Sequence, residues 1–263
     1  RSVCNEHSRW GEGVRSMPKV YGRAVSLTNK PTGYCPGCLH GVAMQIIGKV
    51  IDELELQEEI VGVLPVGCST MATRNFDFDL VVSAHGRAPA VATGIKRCEP
   101  GKLVFTYQGD GDLAAIGLSE IIHCANRGEN ILVIFVNNGI YGMTGGQMAP
   151  TTLLGQKSTT TPGGRQLQRE GAPIKMCEII AQLEPPAYVA RFSLDNPSDI
   201  IKAKNGIKRA FQAQVQKKGF CFIELLSNCP TNWGMTPEQT LMWMRENTKS
   251  VFKVGEFKVQ EGI

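Results

Sequence analysis

The sequence predicts an α/β fold, doubly wound around a mostly parallel sheet. Short apolar runs recur without strict alternation, as strands buried on both faces do. Segments of helical periodicity separate them, the pattern of repeated βα units. Glycines and polar residues able to hold ligands follow directly after several runs, where an open sheet binds its ligands.

In chain order, residues 1–34 show neither a period of 2 nor one of 3.6 and contain Gly11, Gly13, Pro18, Gly22, Pro31 and Gly33, which predicts an extended N-terminal arm. Over 38–59, Val42, Met44, Ile46, Ile47, Val50, Ile51, Leu54 and Leu56 recur at helical spacing. The runs 60–66, 80–82, 103–107 and 131–136 predict parallel strands, with helices over 88–97 and 113–127 and right-handed crossovers. Residues 139–171, rich in Gly, Thr and Pro, form too long a loop for a plain connector and predict a functional one. A helix over 174–183, a strand over 187–192, a helix over 197–218 capped by Asn196 and a strand over 220–226 continue the same domain. Thr236-Pro237-Glu238-Gln239 reads as a capping box that starts a last helix ending near Lys249. The expected organisation is an arm over 1–34, one α/β domain over 35–250 and a tail over 251–263. No internal repeat is visible.

Composition narrows the function. With 42% hydrophobic and 20% charged residues the chain is neither disordered, collagen-like nor a coiled coil. Its longest aliphatic and aromatic run, 131–136, falls far short of the ~20 apolar residues of a membrane span. The polar first ten residues carry no secretory pattern, so a cytoplasmic location is expected. A net charge of +4, dispersed along the chain, does not point to nucleic acid. Nine cysteines, an odd number, suit reduced thiols or metal ligands better than a closed disulfide framework.

The chemistry centres on Gly109-Asp110-Gly111-Asp112 at the end of the 103–107 strand and on Asn137-Asn138 at the end of the 131–136 strand. Glycines beside Asp110 let the backbone approach a diphosphate, and Asp110 with the Asn138 amide oxygen supplies hard oxygen ligands for Mg²⁺. Either half alone is also an ordinary turn. The cysteines mark a second site: Cys35 and Cys38 at a helix start, Cys68 after one strand and Cys229 after another can converge, because parallel strands bring their carboxyl ends together. Four thiolates suit a [4Fe-4S] cluster or structural zinc, and spacing does not separate the two. Cys4, Cys98, Cys124, Cys177 and Cys221 read as small buried hydrophobes. His85, before Gly86-Arg87, and His40 could face a cofactor, whereas His7 and His123 read as structural. Lys202, Lys204, Lys208, Arg209, Lys217 and Lys218 read as a solvated helix face in preference to a docking patch.

Gly-Asp-Gly followed by Asn-Asn resembles the thiamine diphosphate-binding fingerprint. Asn137-Asn138-Gly139-Ile140-Tyr141-Gly142-Met143-Thr144-Gly145-Gly146-Gln147 resembles, more narrowly, the β subunit of the 2-oxoacid:ferredoxin oxidoreductases. Cys35-Pro36-Gly37-Cys38, Val66-Gly67-Cys68-Ser69, His85-Gly86-Arg87-Ala88, Pro150-Thr151-Thr152 and Asn228-Cys229-Pro230 extend the likeness over about residues 30–235. Leu39 stands where the family commonly has the glycine after its cysteine pair.

The resemblance implies a thiamine diphosphate-binding domain of the diphosphate-gripping type and Mg²⁺ held by Asp110, Asn138 and the Ile140 carbonyl. It implies cofactor contacts from Gly37, His40, Cys68, Ser69, Arg87, Gly109, Gly111, Asp112, Tyr141, Gly142 and Thr144, and a [4Fe-4S] cluster on Cys35, Cys38, Cys68 and Cys229. Met143 and His85 then face the substrate. The implied activity is oxidative decarboxylation of a 2-oxo acid to an acyl-coenzyme A, electrons leaving through the cluster to ferredoxin. No Glu of this chain sits where the fingerprint would activate the aminopyrimidine, so an α subunit with a pyrimidine-binding domain is expected to complete the site and much of the coenzyme A site, with γ or δ subunits as further partners. Met143 is flexible and apolar, and no Lys or Arg lies between Asn137 and Gln156, which favours a branched 2-oxo acid such as 2-oxoisovalerate over pyruvate, 2-oxoglutarate or an aryl acid. The competing readings are a non-oxidative thiamine enzyme subunit, in which the cysteines would be idle, and a zinc-stabilised α/β assembly subunit without chemistry.

Overall fold

Every second residue of a buried strand must suit one of two different helical layers. In β3 (Leu103–Gly109), Leu103, Phe105 and Tyr107 join one apolar cluster and Val104 the other. The computed structural model describes residues 22–263. The chain enters the domain through α1 (His40–Glu53), β1 (Ile60–Leu64), a 3₁₀ segment Cys68–Arg74 and β2 (Asp79–Val82), then α2 (Ala88–Cys98) and β3. A π turn, Asp112–Ile116, leads into α3 (Leu118–Asn126) and β4 (Leu132–Asn137). The hairpin β5 (Ile140–Tyr141) and β6 (Gln147–Met148) and the short α4 (Leu167–Glu170) lie inside the long loop. There follow α5 (Met176–Ala181), β7 (Tyr188–Ser193), α6 (Pro197–Val215), β8 (Cys221–Leu226), α7 (Pro230–Trp233), α8 (Pro237–Trp243), a second π turn (Met244–Thr248), α9 (Lys249–Val251) and β9 (Gly255–Val259).

The sheet order is β2-β1-β3-β4-β8-β7-β9, parallel throughout except for the antiparallel pair β7·β9. Helices α1 and α6 pack on one face, and α2, α3 and α5 on the other. The expected doubly wound sheet is therefore present. Its strand order reverses between β1 and β3, and the carboxyl ends of these two strands flank that switch point.

Some expected elements differ. The last helix begins with the expected capping box, in which Thr236 Oγ1 accepts from Gln239 N at 3.3 Å and Gln239 Oε1 accepts from Thr236 N at 2.9 Å. It then widens into the π turn before α9, so that Arg245 and Lys249 both reach the Asp195 carboxylate, at 2.9 and 3.3 Å. Residues 255–259, expected within a tail, form the antiparallel edge strand β9. Of the expected arm, only 22–34 is described; there Asp52 accepts from the Val25 and Ser26 amides at 2.6 and 2.9 Å, and Leu27 bridges to Phe76. Cys4 and His7 lie outside the described residues. Cys124, Cys177 and Cys221 are fully buried as expected, whereas Cys98 is exposed. On α6, Lys204 and Lys208 both pair with Glu53 of α1, at 2.5 and 3.1 Å. No described helix is long and apolar enough to cross a membrane.

Candidate active site

A cavity of about 200 Å³ opens at the carboxyl ends of β1, β3 and β4, lined by segments that follow each strand and by His40 and His85. Sequence-predicted site residues that line it are His40, Cys68, Ser69, His85, Gly109, Asp110, Gly111, Asp112, Asn138, Ile140, Tyr141, Gly142, Met143 and Thr144. At Gly111 a Cβ would stand 2.3 Å from the Tyr141 ring, so only glycine lets that ring lie against the loop.

Asp110 is 2% exposed, and no Lys, Arg or His among the described residues pairs with it. Its Oδ1 accepts from the Gly111 amide at 2.9 Å, and its Oδ2 accepts from the Gly139 amide and Thr151 Oγ1, both at 2.6 Å. A carboxylate offers about four lone-pair positions, so one remains beside the cavity. Burial pushes its pKa up to about 6 despite these three donors. A buried carboxylate without a counter-cation is what a metal ion relieves. Asn138 Oδ1, which accepts only a long 3.2 Å bond from the Ile140 amide, belongs to a residue of the same cavity wall. The hard-oxygen donor set therefore fits Mg²⁺. Ser69 Oγ is buried at the cavity wall without a hydrogen-bond partner, an open donor for an oxyanion.

Asp112 lines the cavity as expected and also holds its neighbours. Its carboxylate accepts from the Gly86 amide at 2.6 Å, from Gln108 Nε2 at 2.6 Å and from His85, whose Nδ1 lies 2.6 Å from Oδ1. His85 Nδ1 also lies 3.0 Å from the Val66 carbonyl. Both neighbours accept, so Nδ1 carries the proton and Nε2 is the free nitrogen of a ring at the cavity wall. Sequence reading missed Gln108 and Thr151, which complete this polar scaffold; Thr151 lies within a quoted motif, but Gln108 lies inside a strand with no signal of its own.

Two expected contacts do not line the cavity. Gly37 packs beneath Pro237, where a Cβ would meet the ring at 2.4 Å, and its carbonyl accepts from Asn228 at 3.1 Å. Arg87 turns outward to pair with Glu120.

Cys68 lines the same cavity, with Cys229 close by. A Cβ on Gly142 would stand 3.1 Å from Cys68 Sγ and 3.6 Å from Cys229 Sγ, so glycine is what lets the β5 hairpin pass between them. Cys38 lies within electrostatic reach of Cys229, Cys68 and Cys35. Burial, followed by repulsion among the thiolates, pushes Cys38 up to about 12 and Cys68 up to about 11. Such thiols need a cationic centre to become ligands. Among the described residues no three His, Cys, Asp or Glu side chains stand together as the ligands of one metal ion.

This fold and site define a thiamine pyrophosphate-binding domain, and residues 65–225 match the thiamine pyrophosphate enzyme C-terminal TPP binding domain. The relatives narrow the class. The chain is 48% identical over 243 residues to the ketoisovalerate oxidoreductase subunit VorA of Methanothermobacter marburgensis, covering 92% of this chain and 51% of that one. It is 37% identical over 237 residues to the 2-oxoglutarate synthase subunit KorB of Methanocaldococcus jannaschii, covering 88% and 83%. Among solved structures, the 2-oxoglutarate:ferredoxin oxidoreductase of Magnetococcus marinus with 2-oxoglutarate, coenzyme A and succinyl-CoA bound superposes with a TM-score of 0.75 at 26% identity, covering 90% of this chain and 84% of that one. The chain belongs to the β subunits of the 2-oxoacid:ferredoxin oxidoreductases. It spans about half the length of the ketoisovalerate oxidoreductase subunits it matches.

Proposed function

We propose that this chain forms the thiamine diphosphate side of an enzyme that oxidatively decarboxylates a branched 2-oxo acid such as 2-oxoisovalerate. The 2-oxo acid and coenzyme A thiol become acyl-coenzyme A, CO₂, a proton and two electrons, which pass singly through a [4Fe-4S] cluster to ferredoxin. The observation that carries this reading is the pairing of a buried carboxylate lacking a counter-cation, Asp110, with thiols that flank the same cavity across Gly142.

Asp110, Asn138 and the Ile140 carbonyl would hold Mg²⁺, and Ser69 would meet a diphosphate oxygen. Bound thiamine diphosphate supplies an electron sink for loss of CO₂. His85, fixed by Asp112, accepts or donates a proton at Nε2. Cys35, Cys38, Cys68 and Cys229 would hold the cluster, with the Cys68 and Cys229 sulfurs already close to one another across Gly142.

Substrate preference rests on charge and size. Among the described residues no Lys or Arg lines the cavity. Arg165, a candidate partner for a second carboxylate, is 5% exposed, and its guanidinium donates to six backbone carbonyls. Among the described residues the cavity lining thus offers no cation to a second carboxylate, while Met143 at the wall suits a hydrocarbon. The KorB relatives keep 2-oxoglutarate as the second reading, with the cation then coming from a partner. Among the described residues no Glu lines the cavity, so the carboxylate that activates the aminopyrimidine would come from an α subunit, seated on the exposed apolar rim of Val66 and Met143, each 49% exposed.

The test compares kcat/KM for 2-oxoisovalerate, pyruvate and 2-oxoglutarate, using the anaerobically purified complex with ferredoxin as acceptor. A missing methylene is worth ~1 to 3 kcal/mol in an apolar pocket, so 2-oxoisovalerate should lead and pyruvate should remain a poor substrate. A clear preference for 2-oxoglutarate would overturn the substrate assignment.

A further inference from the structure

His85 lines the cavity with a side chain 36% exposed to solvent, and its two ring nitrogens have unlike surroundings. Nδ1 faces two acceptors, Asp112 Oδ1 at 2.6 Å and the Val66 carbonyl at 3.0 Å, so it carries the proton. The other tautomer would set a lone pair against both. Nε2 therefore keeps its own lone pair, the one basic position on the ring. The acceptor is itself fixed from inside the sheet. Thr106 Oγ1 donates to Gln108 Oε1 at 2.8 Å and Gln108 Nε2 donates to Asp112 Oδ2 at 2.6 Å, both residues fully buried in β3, while the Gly86 amide donates to Asp112 Oδ1 at 2.6 Å. The other titratable groups at this cavity have other commitments. Asp110 and Cys68 belong to the metal and cluster sets proposed above, and Asp112 accepts the three bonds just given. His40 is 1% exposed with its Nδ1 on the Tyr107 hydroxyl at 2.6 Å, and burial raises the Tyr141 phenol above its ordinary value, so that it holds its proton. Among the described residues of the cavity wall, His85 alone joins an uncommitted basic nitrogen to a route to solvent.

We propose that His85 Nε2 takes the proton of the coenzyme A thiol during acyl transfer. The inference rests on the function proposed above, whose balanced reaction releases one proton, and the thiol is its source. A thiol is a poor nucleophile until that proton leaves. In this step the S–H bond breaks and an Nε2–H bond forms, with the electron pair left on sulfur. The imidazolium, held by the Asp112 carboxylate at Nδ1, then passes the proton to solvent and regains its lone pair.

The test uses the anaerobically purified complex with wild-type chain, His85→Ala and His85→Gln. Three quantities are read: kcat/KM for coenzyme A, release of CO₂ from carboxyl-labelled 2-oxoisovalerate in a single turnover without coenzyme A, and thiamine diphosphate affinity by calorimetry. In both variants kcat/KM for coenzyme A should fall about a hundredfold, with CO₂ release and cofactor affinity at wild-type values. Free imidazole should restore the coenzyme A step of His85→Ala several-fold, because the deleted ring lies on an open cavity. His85→Gln keeps a donor for Asp112 without a base, and it decides the matter if His85→Ala fails to fold. An unchanged kcat/KM for coenzyme A, or CO₂ release slowed to the same extent, would overturn the role of His85. Loss of thiamine diphosphate affinity would overturn it too, making His85 a cofactor contact. A wild-type complex that releases CO₂ but forms no acyl-coenzyme A would overturn the underlying reading instead.

Discussion

Asp110 can be tested on its own because its isolation is electrostatic. Asp110→Ala removes the one ionised oxygen ligand, and Mg²⁺-dependent binding of thiamine diphosphate should fall below detection in calorimetry; unchanged affinity would remove it from the metal site. The cysteines divide by position. Cys68→Ala and Cys229→Ala should lose cluster iron, whereas Cys177→Ala and Cys221→Ala, whose thiols are fully buried in the two apolar layers, should keep it. Equal iron in all four would refute the ligand set. Residue type marked Asp110, Asn138 and Cys68 in the sequence, and the fold brings them to one cavity, with Cys229 close by across Gly142. Partnerships were not so marked. The bond from His85 to Asp112 could not be read, and Arg191 with Glu224, an ion pair 2.9 Å apart and fully buried, lies inside strands that read as apolar.

The loop over 139–171 shows how an element without regular structure is held. Arg165 is its pin, joining carbonyls at 149, 150 and 152 to those at 170, 171 and 172. Arg165→Met should leave several buried carbonyls unpaired and cost about 3 kcal/mol or more, lowering Tm and exposing the loop to limited proteolysis; an unchanged Tm would contradict the pin. The C-terminal helices are tied down by charge. Arg245 and Lys249 donate to Asp195, while Lys249, Asn196 and Lys202 donate to Asp199 and hold it down at about 2 against its burial. A depressed carboxylate contributes stability that is present above its ordinary value near 4 and is lost as pH falls through about 2. Lys249→Met should lower stability by about 1 to 2 kcal/mol at neutral pH, and the gap to wild type should close below pH 2; a gap that persists there would contradict the pairing. None of this was legible beforehand, because an arginine among carbonyls and a π-widened helix depend on residues far apart in sequence. The capping box was legible because its residues lie three apart.

For the molecule as a whole, strand order decides where chemistry can occur. Runs buried on both faces declared the parallel sheet from the sequence, since only a strand covered on both sides tolerates them. The edge strand β9 was missed because five half-exposed residues carry little apolar signal. The switch between β1 and β3 opens the cavity, and the β5 hairpin crossing it brings Gly142 between two thiols that diverge by 161 positions in the chain. The central claim is that one end of this sheet holds both a metal-bound diphosphate and an iron-sulfur centre. Iron, sulfide and thiamine diphosphate analysis of the anaerobically purified complex, with its visible spectrum before and after addition of 2-oxo acid and coenzyme A, tests it most directly. The account predicts iron and sulfide in equal amounts, retained thiamine diphosphate, and bleaching of the cluster absorption on substrate addition. Zinc in place of iron, or a spectrum that substrate leaves unchanged, would contradict it.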